Sequence, residues 1–284
     1  MRVLFCTDGS KISFNALNNF ARWSKGAIID VICVIDWSFL PDEVSIEEDG
    51  FANSCANVAD NILNYAEKEI HKTNLIMGDK LKRCGESVAS ILEQTDREDY
   101  EMVIMGSHGK KGLQRWLGSV SRDVINNITV SSYVSTQSNS AKKILFATDG
   151  TDNSSHALSE AIKLLNLNQK EIYICVVSEN PNFLFLEGTL DTHWLLEIEK
   201  QQERFAEKMI RNVITKLEEY NLPVAKNAVL TGIPAEKIND FALKEGIDLI
   251  VMGTRHKNNL RSKFHGSVSK RVLEITHSDV MIVK

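Results

Sequence analysis

The strongest constraint on this chain is that it states one pattern twice. Lys142-Lys143-Ile144-Leu145-Phe146-Ala147-Thr148-Asp149-Gly150 restates Met1-Arg2-Val3-Leu4-Phe5-Cys6-Thr7-Asp8-Gly9. Met252-Gly253-Thr254-Arg255 restates Met105-Gly106-Ser107-His108, and Gly266-Ser267-Val268-Ser269 restates Gly118-Ser119-Val120-Ser121. The two Thr-Asp-Gly segments lie 149 − 8 = 141 residues apart. That spacing is domain-sized, well above the ~20–50 residues of a solenoid unit. The 284 residues are therefore read as a duplicated domain, each copy carrying its own core. The expected boundaries are 1–137 and 142–284, with Gln137-Ser138-Asn139-Ser140 as a short polar linker.

Between the repeated motifs, short apolar runs alternate with amphipathic segments, the βαβα signature of a parallel sheet covered by helices. The first copy has expected strands at Arg2–Thr7, Ile28–Ile35, Leu75–Lys82, Met102–Met105 and Ser131–Thr136. Its helices are expected at Ile12–Lys25, Ala52–Lys72, Ser87–Thr95 and Ser119–Asn127. In the second copy the strands are Lys143–Thr148, Glu171–Val177, Val224–Leu230, Leu249–Met252 and Val280–Val283. The helices are Asn153–Leu165, Thr192–Tyr220, Ala235–Lys244 and Ser267–Thr276. The near-continuous apolar run from Ile28 to Ile35 implies a strand buried on both faces. Gly85 and Gly232 are 147 apart, so the second copy holds six more residues than the first between its first and third strands. The connection after the second strand is the expected place for them. There the first copy is acidic (Asp42, Glu43, Glu47, Glu48, Asp49), while the second is apolar and aromatic (Phe183-Leu184-Phe185-Leu186, then Trp194).

Composition narrows the function classes. A net charge of −5 argues against a general binder of nucleic acid or anionic membrane. No apolar stretch approaches the ~18 residues of a membrane span, and the chain opens directly into a strand-like run rather than a signal segment. The five cysteines are odd in number and form no C-x-x-C pair, which suits a reducing cytosol. His256, His265 and His277 have no compact ligand spacing, so no metal site is expected. Ser107 beside His108 lacks an orienting acid, and no catalytic residues are assigned.

What remains is an anion site. The fourth strand ends at Gly106, followed by Ser107-His108-Gly109-Lys110-Lys111-Gly112, and the last helix of the copy opens at Gly118-Ser119. Glycines let backbone N–H groups approach a phosphate, and a helix start presents free N–H groups at the positive end of its dipole. In an open α/β sheet a ligand lies beyond the carboxyl ends of the strands at the switch in strand order. The first strand ends there at Thr7-Asp8, offering a carboxylate to a sugar or base; the carboxylate could equally serve a local turn.

In these residues both halves resemble the universal stress protein family. Its pattern is a Gly, two residues, a second Gly, nine residues and then Gly-Ser or Gly-Thr, with an opening strand ending in Asp and a second strand ending Val-Ile-Asp. The first copy has Gly106-Ser107-His108-Gly109, Gly118-Ser119, Thr7-Asp8 and Val34-Ile35-Asp36. The second has Gly253-Thr254-Arg255-His256, Gly266-Ser267, Thr148-Asp149, Val176-Val177 and Gly232-Ile233-Pro234. The resemblance covers essentially the whole chain. It implies an α/β fold of two tandem doubly wound domains, each a five-stranded parallel sheet in the order 3-2-1-4-5 flanked by helices. The implied ligand is ATP or AMP, with any Mg2+ carried by the nucleotide. Thr7, Asp8 and Val34, and Thr148, Asp149 and Val176, would face the adenosine. Gly106, His108, Gly109, Gly118, Ser119 and Val120, and Gly253, Arg255, His256, Gly266, Ser267 and Val268, would hold the phosphates. The resemblance also implies that the halves pair about a pseudo-twofold axis through their last strands, and it leaves room for a homodimer.

Neither copy matches the pattern fully. Only eight residues separate Gly109 from Gly118, and His256 stands where the second Gly belongs. The expected function is a cytoplasmic stress-response regulatory protein that binds an adenine nucleotide in at least one half, and not an enzyme. Two alternatives stay open. One is an interaction scaffold with degenerate sites that uses Phe183–Leu186 and Trp194, and the other is a slow ATPase.

Overall fold

The computed structural model describes residues 1–36, 49–107, 117–136, 140–178, 192–254 and 266–284, with only the backbone for 49–55 and 192–196. The first half runs β1 (Arg2–Thr7), α1 (Lys11–Trp23), β2 (Ile28–Ile35), α2 (Asp49–Ile70), β3 (Ile76–Cys84), α3 (Ser87–Arg97), β4 (Met102–Gly106), α4 (Ser119–Asn127) and β5 (Ser131–Ser135). The second runs β6 (Lys143–Ala147), α5 (Asp152–Leu164), β7 (Glu171–Ser178), α6 (Thr192–Glu218), β8 (Val224–Thr231), α7 (Pro234–Glu245), β9 (Leu249–Gly253), α8 (Ser267–Ile275) and β10 (Asp279–Val283).

Local chemistry explains where the helices begin and end. Ser10 and Thr151 cap α1 and α5 by accepting from the amides of Ser13 and Ser154. Glu86 caps α3 by accepting from Val88 and Ala89. Pro234 opens α7, where no amide is needed, and Gly246 ends it in the left-handed conformation at φ 66°.

The strands form one sheet in the order β3-β2-β1-β4-β5-β10-β9-β6-β7-β8. Each half is parallel and follows the order 3-2-1-4-5. The halves meet where β5 lies antiparallel to β10. Tyr133 stands opposite Met281, its own counterpart at an offset of 281 − 133 = 148. Each half was expected to own a core, but the two apolar layers both run across this junction. One layer joins Val3, Phe5, Phe20, Trp23 and Val31 to Ile144, Phe146, Ile162 and Ile174. On the opposite face, Leu4, Ile32, Val103 and Ile125 join Leu145, Phe241, Ile250 and Val272. Successive strand residues point to opposite faces, so both layers are filled by the same strands. Each fully buried Leu, Ile, Val or Phe contributes about 1.5–3 kcal/mol.

The polar character of β5 has a structural reason. Asp279 at the start of β10 is fully buried, and it accepts from Tyr133 Oη (2.6 Å), Ser135 Oγ (2.9 Å) and the Thr136 amide (2.9 Å) across the junction. Asn19 of α1 donates to Ser135 Oγ at 3.0 Å. Burial pushes the Asp279 carboxyl up to about 6, against the hydrogen bonds that favour its charged form. A second contact joins the ends of α1 and α5, where Ser24 bridges Leu165 and Lys170 Nζ lies 4.8 Å from the centre of the Trp23 ring.

Strand pairing also relocates the insertions. Arg2 pairs with Ile28 and Lys143 with Glu171, so the second strands are offset by 171 − 28 = 143. The first strands are offset by 141 and the third by 147. Two of the six extra residues therefore precede β7 and four follow it, rather than all six following it.

Candidate functional site

In the second half, the carboxyl ends of β6 and β9 diverge at the switch in strand order, because β6 continues to β7 and β9 to β10. A cavity of about 380 Å³ opens there. Thr148 and Asp149 at the end of β6, Gly253 and Thr254 at the end of β9, and Gly266, Ser267, Val268 and Ser269 at the start of α8 line it. Cys175 and Val177 of β7, Met252 of β9, and Pro234 and Ile238 of α7 give it an apolar end. Burial pushes the Cys175 thiol up to about 12, so it stays a neutral wall group.

The start of α8 is the polar end. Its N-cap is Gly266, at φ −58° and ψ 145°, and no side chain caps the helix. Glycine is not required there by the backbone, since any residue adopts that conformation. Nor is it required by packing: an added Cβ would meet only Ser269 Oγ, at 3.8 Å. The helices that begin with a side-chain cap contrast with α8 and with α4, whose N-cap Gly118 also lacks one. Uncapped first-turn amides at a cavity wall are the arrangement a helix start offers to an anion.

The strand-end glycines also have a packing role. A Cβ on Gly253 would lie 2.4 Å from the Asn153 carbonyl oxygen, and one on Gly106 would lie 3.1 Å from the Ser13 amide. These glycines let the first turns of α5 and α1 rest on the ends of β9 and β4. They shape the cavity by bringing helix and strand together.

The strand-end aspartates have local work. Asp8 Oδ1 accepts from the Ser10 amide at 3.0 Å, and Asp149 Oδ1 accepts from the Thr151 amide at 3.1 Å and Oγ1 at 2.6 Å. Both carboxylates remain exposed, and Asp149 lines the cavity. Thr7 and Thr148 are held by Ser13 and Ser154, with oxygen–oxygen distances of 2.8 and 2.9 Å. The repeat carries that signal too, since Ser13 and Ser154 share the 141 offset, although they were not singled out.

One expected residue is misplaced by a single position. Val176 was aligned with Val34, but at the offset of 143 the counterpart of Val34 is Val177. Val177 lines the cavity, while Val176 is buried on the opposite face, against the α5 and α6 layer. A slip of one residue in a strand exchanges the two faces. Gly85 and Gly232 confirm the register by donating to the carbonyls of Ile35 and Ser178.

The first half brings Thr7, Asp8, Val34, Gly106, Gly118, Ser119 and Val120 to the matching end of its own sheet. There the Gly118 amide donates to Ser107 O at 2.7 Å, and Ser121 Oγ to Gly106 O at 2.8 Å, tying α4 to the end of β4. In the second half Ser269 Oγ turns back to Gly266 O instead, at 3.0 Å. Both α4 and α8 begin immediately after their glycine, so the one-residue deletion has not moved the helix start. His108, Gly109, Arg255, His256 and the segment Phe183–Leu186 lie outside the described residues, and the side chain of Trp194 does so too.

Three comparisons bear on this arrangement. The sequence profile described as the universal stress protein family matches residues 1–134 and again 140–284. Universal stress protein MJ0531 of Methanocaldococcus jannaschii is 34% identical over 143 residues, covering 50% of this chain and 82% of that protein. Universal stress protein MJ0577 of the same organism is 28% identical over 154 residues, covering 50% of this chain and 94% of that protein. A universal stress protein structure from Archaeoglobus fulgidus superposes with a TM-score of 0.70 at 19% identity, covering 100% of this chain and 98% of that one, which speaks to fold.

Proposed function

This chain belongs to the universal stress protein family, and from that premise we propose that it binds an adenine nucleotide, ATP or AMP, as a regulatory ligand in at least one half. The observation that carries the reading is the second-half cavity, where the uncapped start of α8 faces an apolar slot across the end of β6. The phosphates take the amides of Ser267, Val268 and Ser269, with the Ser267 hydroxyl beside them. The ribose hydroxyls donate to Asp149 at the cavity rim. The base enters the slot formed by Cys175, Val177, Met252, Pro234 and Ile238. The same residues in the first half, Thr7, Asp8, Val34, Gly118, Ser119 and Val120, form the corresponding site.

We further infer that residues 1–137 and 142–284 are the two domains, related by a pseudo-twofold axis through Tyr133 and Met281, and that the protein works in the cytoplasm. The antiparallel pairing of β5 with β10 supports the axis. No helix among the described residues is long and apolar enough to cross a membrane. The deciding experiment releases small molecules from the purified chain and identifies them by absorbance and mass. Adenine nucleotide at close to one or two per chain is expected. Its absence, together with no thermal shift in millimolar Mg-ATP, refutes the proposal.

A further inference from the structure

The halves differ at the positions that form the apolar end of the second-half cavity, remote from the start of α8. In the second half Pro234 and Ile238 close that end against Cys175 and Val177. At the offset of 147 that Gly85 shares with Gly232 and Gly106 with Gly253, the counterpart of Pro234 is Ser87, the first residue of α3. Ile91 and Ile32 hold the places of Ile238 and Cys175 and are buried, so the remaining wall stays apolar. Ser87 is itself 9% exposed, and its Oγ donates to Asp36 Oδ2 at 3.0 Å, immediately after β2. A serine whose single proton is committed to a carboxylate can only accept from a ligand. The carboxylate also strengthens that oxygen as an acceptor.

This step rests on the nucleotide reading above. With phosphates on the first turn of α4 and the ribose at Asp8, the base projects towards α3. The exocyclic group at C6 of a purine lies on the side of the ring system far from the sugar, so it reaches this end first. We propose that Ser87, oriented by Asp36, accepts a hydrogen bond from the exocyclic amino group of the base bound in the first half. That half therefore distinguishes amino from keto purines, while the second half, with Pro234 at the same place, does not. Ser87 is the specificity residue and Asp36 its positioning residue.

The test uses the full chain with one half silenced. Gly266→Asp places a carboxylate on the free amides of α8 and leaves the first half to be read by calorimetry with ATP and with inosine triphosphate, its keto analogue. A preference for ATP of about three- to tenfold is expected, the ratio one net hydrogen bond supplies. Adding Ser87→Ala should equalise the two ligands. Adding Asp36→Asn should do so as well, because an amide can donate to Ser87 and free its proton for a keto oxygen. Gly118→Asp, which silences the first half, should leave a chain that binds both equally. Equal affinities in the Gly266→Asp chain, or a preference that survives Ser87→Ala, overturns the inference and leaves the nucleotide reading intact. Loss of all binding in Gly266→Asp, with wild type still binding, does the same. A wild-type chain that binds neither ligand overturns both.

Discussion

Replacing Gly266 with Asp should strengthen the fold and weaken the ligand site in one step. Its φ of −58° and ψ of 145° are those of an ordinary N-cap, and its missing side chain leaves room, with only Ser269 Oγ at 3.8 Å. An aspartate there accepts from the amides of Val268 and Ser269 and meets the positive end of the helix. Capping relative to Gly adds a few tenths of a kcal/mol, and the helix dipole about 0.3–1 kcal/mol. Removing a glycine from the unfolded chain adds about 0.4–1 kcal/mol. Together these give roughly 1–2 kcal/mol, at about 2–4 °C of Tm per kcal/mol for a chain of this size. The added carboxylate occupies the place proposed for phosphate and repels it. Urea unfolding and calorimetry with Mg-ATP should therefore move in opposite directions: a later midpoint, and one fewer site per chain. A variant that is less stable refutes the capping argument. A variant that is more stable but binds with unchanged stoichiometry refutes the assignment of phosphate to α8.

The other predictions concern packing and the junction. Gly253→Ala drives a Cβ to 2.4 Å from the Asn153 carbonyl, so its chemical unfolding midpoint should fall by the equivalent of about 1–3 kcal/mol or more; a near-neutral result would mean α5 can lift from β9 freely. Asp279→Ala strands Tyr133 Oη, Ser135 Oγ and the Thr136 amide without an acceptor, and should cost roughly 3 kcal/mol or more in urea unfolding; a loss under 1 kcal/mol would contradict the clamp. Because burial raises the Asp279 carboxyl from its ordinary range to about 6, the folded chain binds that proton more tightly than the unfolded chain. Its stabilising contribution is complete below about pH 4 and is lost as pH rises to 6, by about 3 kcal/mol in all. Wild type minus Asp279→Asn, followed by urea unfolding from pH 4.5 to 7.5, should show that decline; a flat difference would place the carboxyl near its normal value.

Most of the architecture was legible because caps and apolar runs signal it locally. Pro234 marks the start of α7 by its own chemistry, and the repeat gave both halves the same strand count. The register of the second strands was harder to read. Both faces of β2 and β7 are buried, so the alternation that would separate Val176 from Val177 is absent, and Cys33 and Cys175 offer a false alignment. The packing role of Gly106 and Gly253 was not legible, because sequence does not report how closely α1 and α5 approach the strand ends. Asp279 escaped notice for a related reason: its counterpart at the 148 offset is Ser131, so the feature that joins the halves is the one the repeat does not carry.

The antiparallel join of β5 and β10 has a geometric consequence. Strands of one half point opposite to those of the other, so their carboxyl ends lie on opposite rims of one continuous sheet. A contact made along one rim leaves the other uncovered. The two rims are held in register across the seam by the β5–β10 ladder, by the Asp279 cluster beside it and by the contact between the ends of α1 and α5.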